Sequence, residues 1–329
     1  MKFVDRGRAF AVTFLLLAGG VAVAPAGDSN PRVDDVLAVL TGLAPTPHPV
    51  PCDPCGFEVP SGGHLQGIQQ ATIGSRPLAI VSGSSRAASY LVLIALEDAG
   101  GRVVAIKPLM SRPFKHAGGF QVCGDYLAVG IEDDNTKMTS RLWILKLSDL
   151  LQAEVLKPII EIERRGDYKR ATAGAVGMAR VGSRHLLCVG TWDSATIDLY
   201  VSNGQALDDP ACTFALRATW DARQADRSNW SDDDFASYQN LNLVVDASDR
   251  VYLVGFAHTK GNDVADVFEL HMEPAIPVAK RLQKRHRHIL HGQDTSFRHG
   301  AGLTLVEPDT LGILSCGYQE FTIERFGPR

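Results

Sequence analysis

From residue 64 onward the chain alternates short apolar runs with polar, glycine-bearing turns, and one order of features returns five times. Each unit opens on a stretch close to His-x-x-Gly-apolar, passes a turn, and reaches an apolar run that closes on glycine. The openings are at 64–68, 116–120, 171–175, 239–243 and 299–303, and the closing glycines are Gly83, Gly130, Gly190, Gly255 and Gly317. A polar turn and a third run follow each glycine, at 90–96, 141–147, 196–201, 264–270 and 321–326. Four units then supply a fourth run, such as 102–106 and 158–162. Short runs rich in Val, Ile and aromatics, bounded by Gly, Asn and Asp, predict strands. Helical pattern is scarce, with a turn or two expected over 148–153.

Five units of four antiparallel strands describe a five-bladed, all-β propeller, because a four-stranded sheet with two apolar faces must be covered on both by its neighbours. The alternative is a β-sandwich with an accessory region. Inner strands crowd the axis of a propeller, which accounts for Gly67, Gly119, Gly174 and Gly302. The fifth unit lacks a fourth run, so a segment before His64, at 36–40 or 57–59, is expected to complete it. On this repeat pattern the chain resembles the five-bladed β-propellers, which include the arabinanase- and fructosidase-type glycosidases and the tachylectin-type lectins. The resemblance covers roughly residues 60–329 and implies carbohydrate chemistry. Those glycosidases place a catalytic aspartate at the start of the first inner strand, where this chain has His64 and no acidic residue from Pro60 to Gly83.

The first 26 residues carry Lys2, Arg6 and Arg8, then an apolar stretch, then Ala24-Pro25-Ala26, the pattern of a cleaved export signal with Gly27 as the new start. The expected division is a signal peptide over 1–26, an N-terminal segment over 27–59 and the propeller over 60–329, in a secreted or periplasmic protein. An oxidising compartment permits disulfides, and the proline-flanked Cys52 and Cys55 are expected to form a local clip. Cys123, Cys188 and Cys316 lie in apolar runs as small hydrophobes; Cys212 is open, and the pairing of these four is not fixed by their spacing.

Composition adds little: 45% hydrophobic, 21% charged and a net charge of −4 describe an ordinary globular chain with no bulk attraction to nucleic acid. No run after the signal is long and apolar enough to span a membrane, and a monomer is expected.

Strand starts and the loops after second strands share one face of a propeller. That face should gather His64, His116, Gln239 and His299 with Trp192 and His258. The carboxylates Glu132, Asp133, Asp193 and Glu320 are its candidate catalytic groups. His64, His116 and His299 at equivalent positions suit one divalent metal ion, an anion, general acid–base work, or plain satisfaction of backbone groups. The expected function is binding of a small polar ligand, carbohydrate or extracellular partner at the channel mouth. The alternative is a hydrolase or lyase using those histidines and carboxylates. Residues 280–291, dense in Lys, Arg and His, should form a solvated outer strand, with polyanion binding or a metal on His286, His288 and His291 as the alternatives.

Overall fold

The computed structural model describes residues 33–307 and 310–328. The segment 1–26, with its expected signal and cleavage site, lies outside them.

Five four-stranded antiparallel sheets are arranged in a ring. Blade 1 comprises His64–Ile73, Arg76–Ser84, Ala88–Glu97 and Gly100–Ser111. Blade 2 follows with His116–Cys123, Tyr126–Glu132, Thr139–Lys146 and Ile160–Arg165. Blade 3 comprises Ala175–Val181, Arg184–Gly190, Thr196–Ser202 and Phe214–Asp221. Blade 4 comprises Asn240–Val245, Val251–Thr259, Asn262–Leu270 and Leu282–Leu290. Blade 5 takes Ala301–Glu307, Thr310–Cys316 and Ile323–Phe326 from the end of the chain, and its fourth strand, His48–Val50, from near the start. Each inner strand contacts the next around the ring, and the fifth contacts the first.

Alternation along the strands explains the nearly unbroken apolar runs. In blade 1, Leu91 and Leu93 enter the seam with blade 2, while Tyr90, Val92 and Ile94 enter the seam with blade 5. Every seam holds one such cluster, so both faces of every sheet are dry. At the axis a methyl group on Gly302 would lie 2.1 Å from the Ile68 carbonyl oxygen, so only glycine fits. Gly174, by contrast, would meet nothing closer than 3.6 Å and is not held by crowding.

The strand that completes the ring is neither segment expected. Residues 36–41 form a helix, Val36–Thr41: Asp35 accepts a hydrogen bond from Ala38 N at 3.0 Å, and Val36 and Leu40, four apart, bury one face in the seam of blades 4 and 5. Residues 57–59 carry no strand; Phe57 and Val59 pack beside blade 1. The helical turn expected over 148–153 is Leu147–Gln152.

Two further expectations are corrected. Cys52 and Cys55 are free thiols: Cys52 is half-buried on a two-residue strand beside Gly101, while Cys55 sits exposed in a left-handed turn (φ 50°). Burial, with Asp53 and Cys55 nearby, pushes the Cys52 thiol up to about 11, so it stays protonated. The basic segment does form the outer strand of blade 4, yet Lys284 is fully buried in it, and its ammonium meets Asp232 Oδ1 at 2.6 Å and Asp266 Oδ1 at 3.2 Å. Those aspartates, rather than water, satisfy that ammonium, while Arg285 and Ile289 of the strand are exposed.

Candidate ligand site at the channel mouth

Inner strands begin, and second strands end, on one face. In blades 1 and 2 the inner strand bulges just after its first residues, between Leu65 and Ile68 and between Ala117 and Phe120. A bulge kinks the strand and re-aims its side chains. Here it frees Gly67 N to bond Ser82 Oγ (2.9 Å), which itself donates to the Gly118 carbonyl (2.7 Å). The two blades are thereby stitched together directly beneath His64 and His116.

Around the mouth five rings form a continuous arc. Trp192 lies 5.5 Å from His116, His116 5.8 Å from His64, His64 5.1 Å from Tyr318, and Tyr318 4.5 Å from His299, centroid to centroid. The Lys137 ammonium stands 3.6 Å over the Trp192 ring. Behind the arc, His116 Nδ1 lies 3.0 Å from Oε2 of the fully buried Glu132, whose Oε1 accepts from Ala173 N at 2.7 Å. The Gln66 amide nitrogen reaches Nε2 of both His64 and His116, at 3.2 Å for the latter. Ser84 Oγ is 3.1 Å from His64 Nε2. With the amide N–H as donor, the Nε2 atoms it meets on His64 and His116 act as acceptors. Burial, reinforced by His116 and His299 nearby, lowers the His64 pKa to about 4, in keeping with that assignment. His299 is shifted down too, by burial and then by Arg298.

The floor is made of amides. Asn240 is buried, and among the described residues neither its Oδ1 nor its Nδ2 has a partner. Below it, Gln69 donates to Asn242 Oδ1 (3.0 Å), Leu303 N donates to the same oxygen (2.8 Å), and Gln121 Oε1 accepts from Met178 N and Leu243 N. These bonds tie all five inner strands across the axis beneath the mouth.

The expected residues divide accordingly. His64, His116, Trp192 and His299 belong to the arc. The three histidines do not converge on a cation: Tyr318 stacks between His64 and His299, and Gln66 occupies the lone pairs of the other pair. Among the described residues no group of three or more His, Cys, Asp or Glu is arranged to hold a metal ion, His286, His288 and His291 included. Gln239 contributes its backbone, with N donating to the Phe256 carbonyl (2.9 Å). His258 lies near His299 on the rim, its Nδ1 2.8 Å from Asp263 Oδ1; Ser296 Oγ donates to that same oxygen, so the three make no Ser–His–Asp relay.

Of the carboxylates, only Glu132 touches the arc. Asp133 is spent on its own turn, accepting from Asn135 N, Thr136 N and Thr136 Oγ1. Asp193 is exposed and 3.3 Å from Lys169 Nζ. Glu320 is exposed in an adjoining groove of about 600 Å³ with Phe57 and Phe321. Sequence reasoning missed Tyr318, Gln66 and Asn240. Tyr318 directly follows the closing glycine of blade 5, and Gln66 stands inside the His-x-x-Gly stretch; their positions were the available signal.

No family model matches the chain, and no curated protein does. Solved structures with a similar course include the catalytic domain of the Coprinopsis cinerea GH62 α-L-arabinofuranosidase, at 10% identity and TM-score 0.47, covering 87% of this chain and 96% of that one. The Podospora anserina α-L-arabinofuranosidase solved with cellotriose gives 9% identity and TM-score 0.48, over 86% and 96%. The Fusarium graminearum GH93 α-L-arabinofuranosidase solved with arabinobiose gives 9% and 0.43, over 80% and 92%.

Proposed function

We propose that this chain is an exported β-propeller that binds a small polar ligand, a carbohydrate foremost, in the basin at the channel mouth. The observation that carries the reading is the arc of five rings over a floor of amides, with one of those amides unpartnered. Ring faces offer an apolar surface for the C–H face of a sugar, while the imidazoles, Gln66 and Asn240 offer donors and acceptors for its hydroxyls. Export rests on the 1–26 segment; among the described residues no helix is long and apolar enough to cross a membrane.

The test is calorimetric titration with a glycan panel, with Trp192 fluorescence as a second readout. At least one saccharide should bind with a Kd of about 1 mM or tighter, and W192A or Y318A should each weaken it at least ~10-fold, a loss of about 1.4 kcal/mol. Absence of binding across the panel, or binding indifferent to both variants, overturns the proposal. A second reading, hydrolysis or elimination at the same mouth, is favoured by one detail: buried Glu132 stands 3.0 Å from His116 Nδ1, and His116 Nε2, 3.2 Å from the Gln66 amide nitrogen, would serve as a base once substrate displaces that amide. Turnover lost in H116Q would support it; binding without turnover would leave the lectin-like reading alone.

A further inference from the structure

Inner strands end and second strands begin on the face opposite the mouth. There a cavity of about 890 Å³ opens between blades 3 and 4. Its floor is apolar: Val181, Leu186, Val201, Val251, Leu270 and Met272. Its rim is cationic. Arg184, Arg217, Arg250 and Arg281 all line it, and only Arg250 is matched by a carboxylate, Asp246 Oδ2 at 2.6 Å. Among the described residues Arg184 and Arg217 make no ion pair or hydrogen bond through their side chains, and Arg281 donates only to the Ile276 carbonyl (3.3 Å).

The acidic residues there offset this charge in part, without pairing with Arg184, Arg217 or Arg281. Glu269 is engaged by Arg285 at 3.4 Å, with His271 Nε2 4.0 Å away, and Asp249 and exposed Glu273 are the two other carboxylates that line the cavity, beside the three guanidiniums without an ion pair. Like charges converging on one concave, partly apolar surface repel, and an anion relieves that repulsion.

Arg217 is also placed by a distortion of the sheet. Leu199 pairs with Ala218 and Tyr200 with Leu216, so Arg217 is the extra residue of a bulge. The same distortion in blade 4, between Val267 and Phe268, leaves Arg285 as the extra residue, and there the arginine has Glu269 as its partner. Arg217 has no such partner and lines the cavity instead.

We propose that this inter-blade cavity is a second binding site, distinct from the mouth, for a soluble single-chain amphiphilic anion: an apolar body on the Val/Leu floor and a phosphate or carboxylate head held by Arg184, Arg217 and Arg281. The volume lies within the range of small-molecule pockets, and planar guanidiniums bind both head groups in a bidentate manner.

Calorimetry of the full chain with octyl phosphate, octanoate, inorganic phosphate and uncharged octyl glucoside, all below their micellar concentrations, tests it. Octyl phosphate or octanoate should bind at least ~10-fold tighter than inorganic phosphate and than octyl glucoside. Binding should weaken at least ~10-fold in the double variant R184Q/R217Q and at higher salt, while W192A leaves it unchanged. Both arginines are exposed, so the variant folds, and its melting curve checks this. Equal binding of octyl glucoside, equal binding of inorganic phosphate, or indifference to R184Q/R217Q overturns the proposal. Arginine-dependent co-sedimentation with phosphatidic acid vesicles that octyl phosphate does not compete away also overturns it, in favour of a membrane surface.

Discussion

Asp266 and Glu132 are both carboxylates buried against a base, and they serve different ends. In blade 4, Asp266 is fully buried. Its Oδ1 accepts from Arg287 Nε (2.7 Å) with Lys284 Nζ at 3.2 Å, and its Oδ2 accepts from Arg287 Nη2 and Tyr238 Oη (2.6 Å each). Hydrogen bonding to Asp266 raises the Arg287 pKa further, so that partner never titrates. At the mouth, Glu132 is equally buried, but its partner is His116, whose second nitrogen lies 3.2 Å from the Gln66 amide nitrogen. A saturated ionic cluster fixes a blade. A carboxylate beside one nitrogen of an imidazole leaves the other to a single amide contact that a ligand can displace.

The sharpest way to break this contrast is D266A. Removing the carboxylate strands fully buried Lys284 and most of Arg287 without their shared counterion, so unfolding in urea should show a loss of about 3–5 kcal/mol. A loss under ~1 kcal/mol would mean that Asp232 and Asp234 satisfy the strand without it. E132Q should be milder, about 1–2 kcal/mol, because the amide oxygen still accepts from Ala173 N. Its larger consequence should be weakened saccharide binding, read in the same titration as W192A. If E132Q costs as much stability as D266A, Glu132 is a second clamp and the distinction fails.

A third prediction uses pH. His64 has a folded pKa of about 4, below its ordinary 6.5, so between these values the unfolded chain takes up a proton that the folded chain refuses. Stability is therefore fully present above pH 6.5 and falls as pH drops from 6.5 toward 4; His299, shifted the same way, adds to the slope. Melting temperatures across this window should show a shallower slope in H64Q than in the wild type, and equal slopes would refute the account. The smallest effect is expected for D193N, an exposed ion pair with Lys169, where stability should move by no more than ~0.5 kcal/mol. Loss of a ligand or of turnover in that variant would return Asp193 to the site.

Much of the ring was legible because its signal is repetitive. Apolar runs of strand length returned at each blade, and His64 and His116 are the first residues of their inner strands. In blades 3 and 4 the inner strands start later, at Ala175 and Asn240, since pattern marks a run but not the residue where pairing begins. The closing strand was hidden for a different reason. His48–Val50 has three residues, one of them proline, and is held by backbone pairing at an edge, where proline is tolerated. At the mouth, the face on which residues gather could be read from strand direction. Which rings meet could not, because the bulges after Leu65 and Ala117 and the wedge of Tyr318 depend on contacts between blades 1, 2 and 5. Lys284 shows the same limit: a basic outer strand looks solvated until a loop 50 residues earlier delivers Asp232 and Asp234 onto it.

Pairing of His48–Val50 with Ile323–Phe326 also has a kinetic side. Val50 and Ile323 are about 270 positions apart, so blade 5 is finished only after nearly the whole chain has been made and its other blades can hold the ends near one another. The mouth spans that same junction, for His64 of blade 1 stacks on Tyr318 of blade 5, and Leu65 N donates to the Tyr318 carbonyl at 2.8 Å. The arc of rings therefore does not exist in any half-assembled intermediate. Under the proposed function, recognition at the mouth would be coupled to completion of folding, and a ligand bridging His64 and Tyr318 would act as a latch that slows the ring's opening.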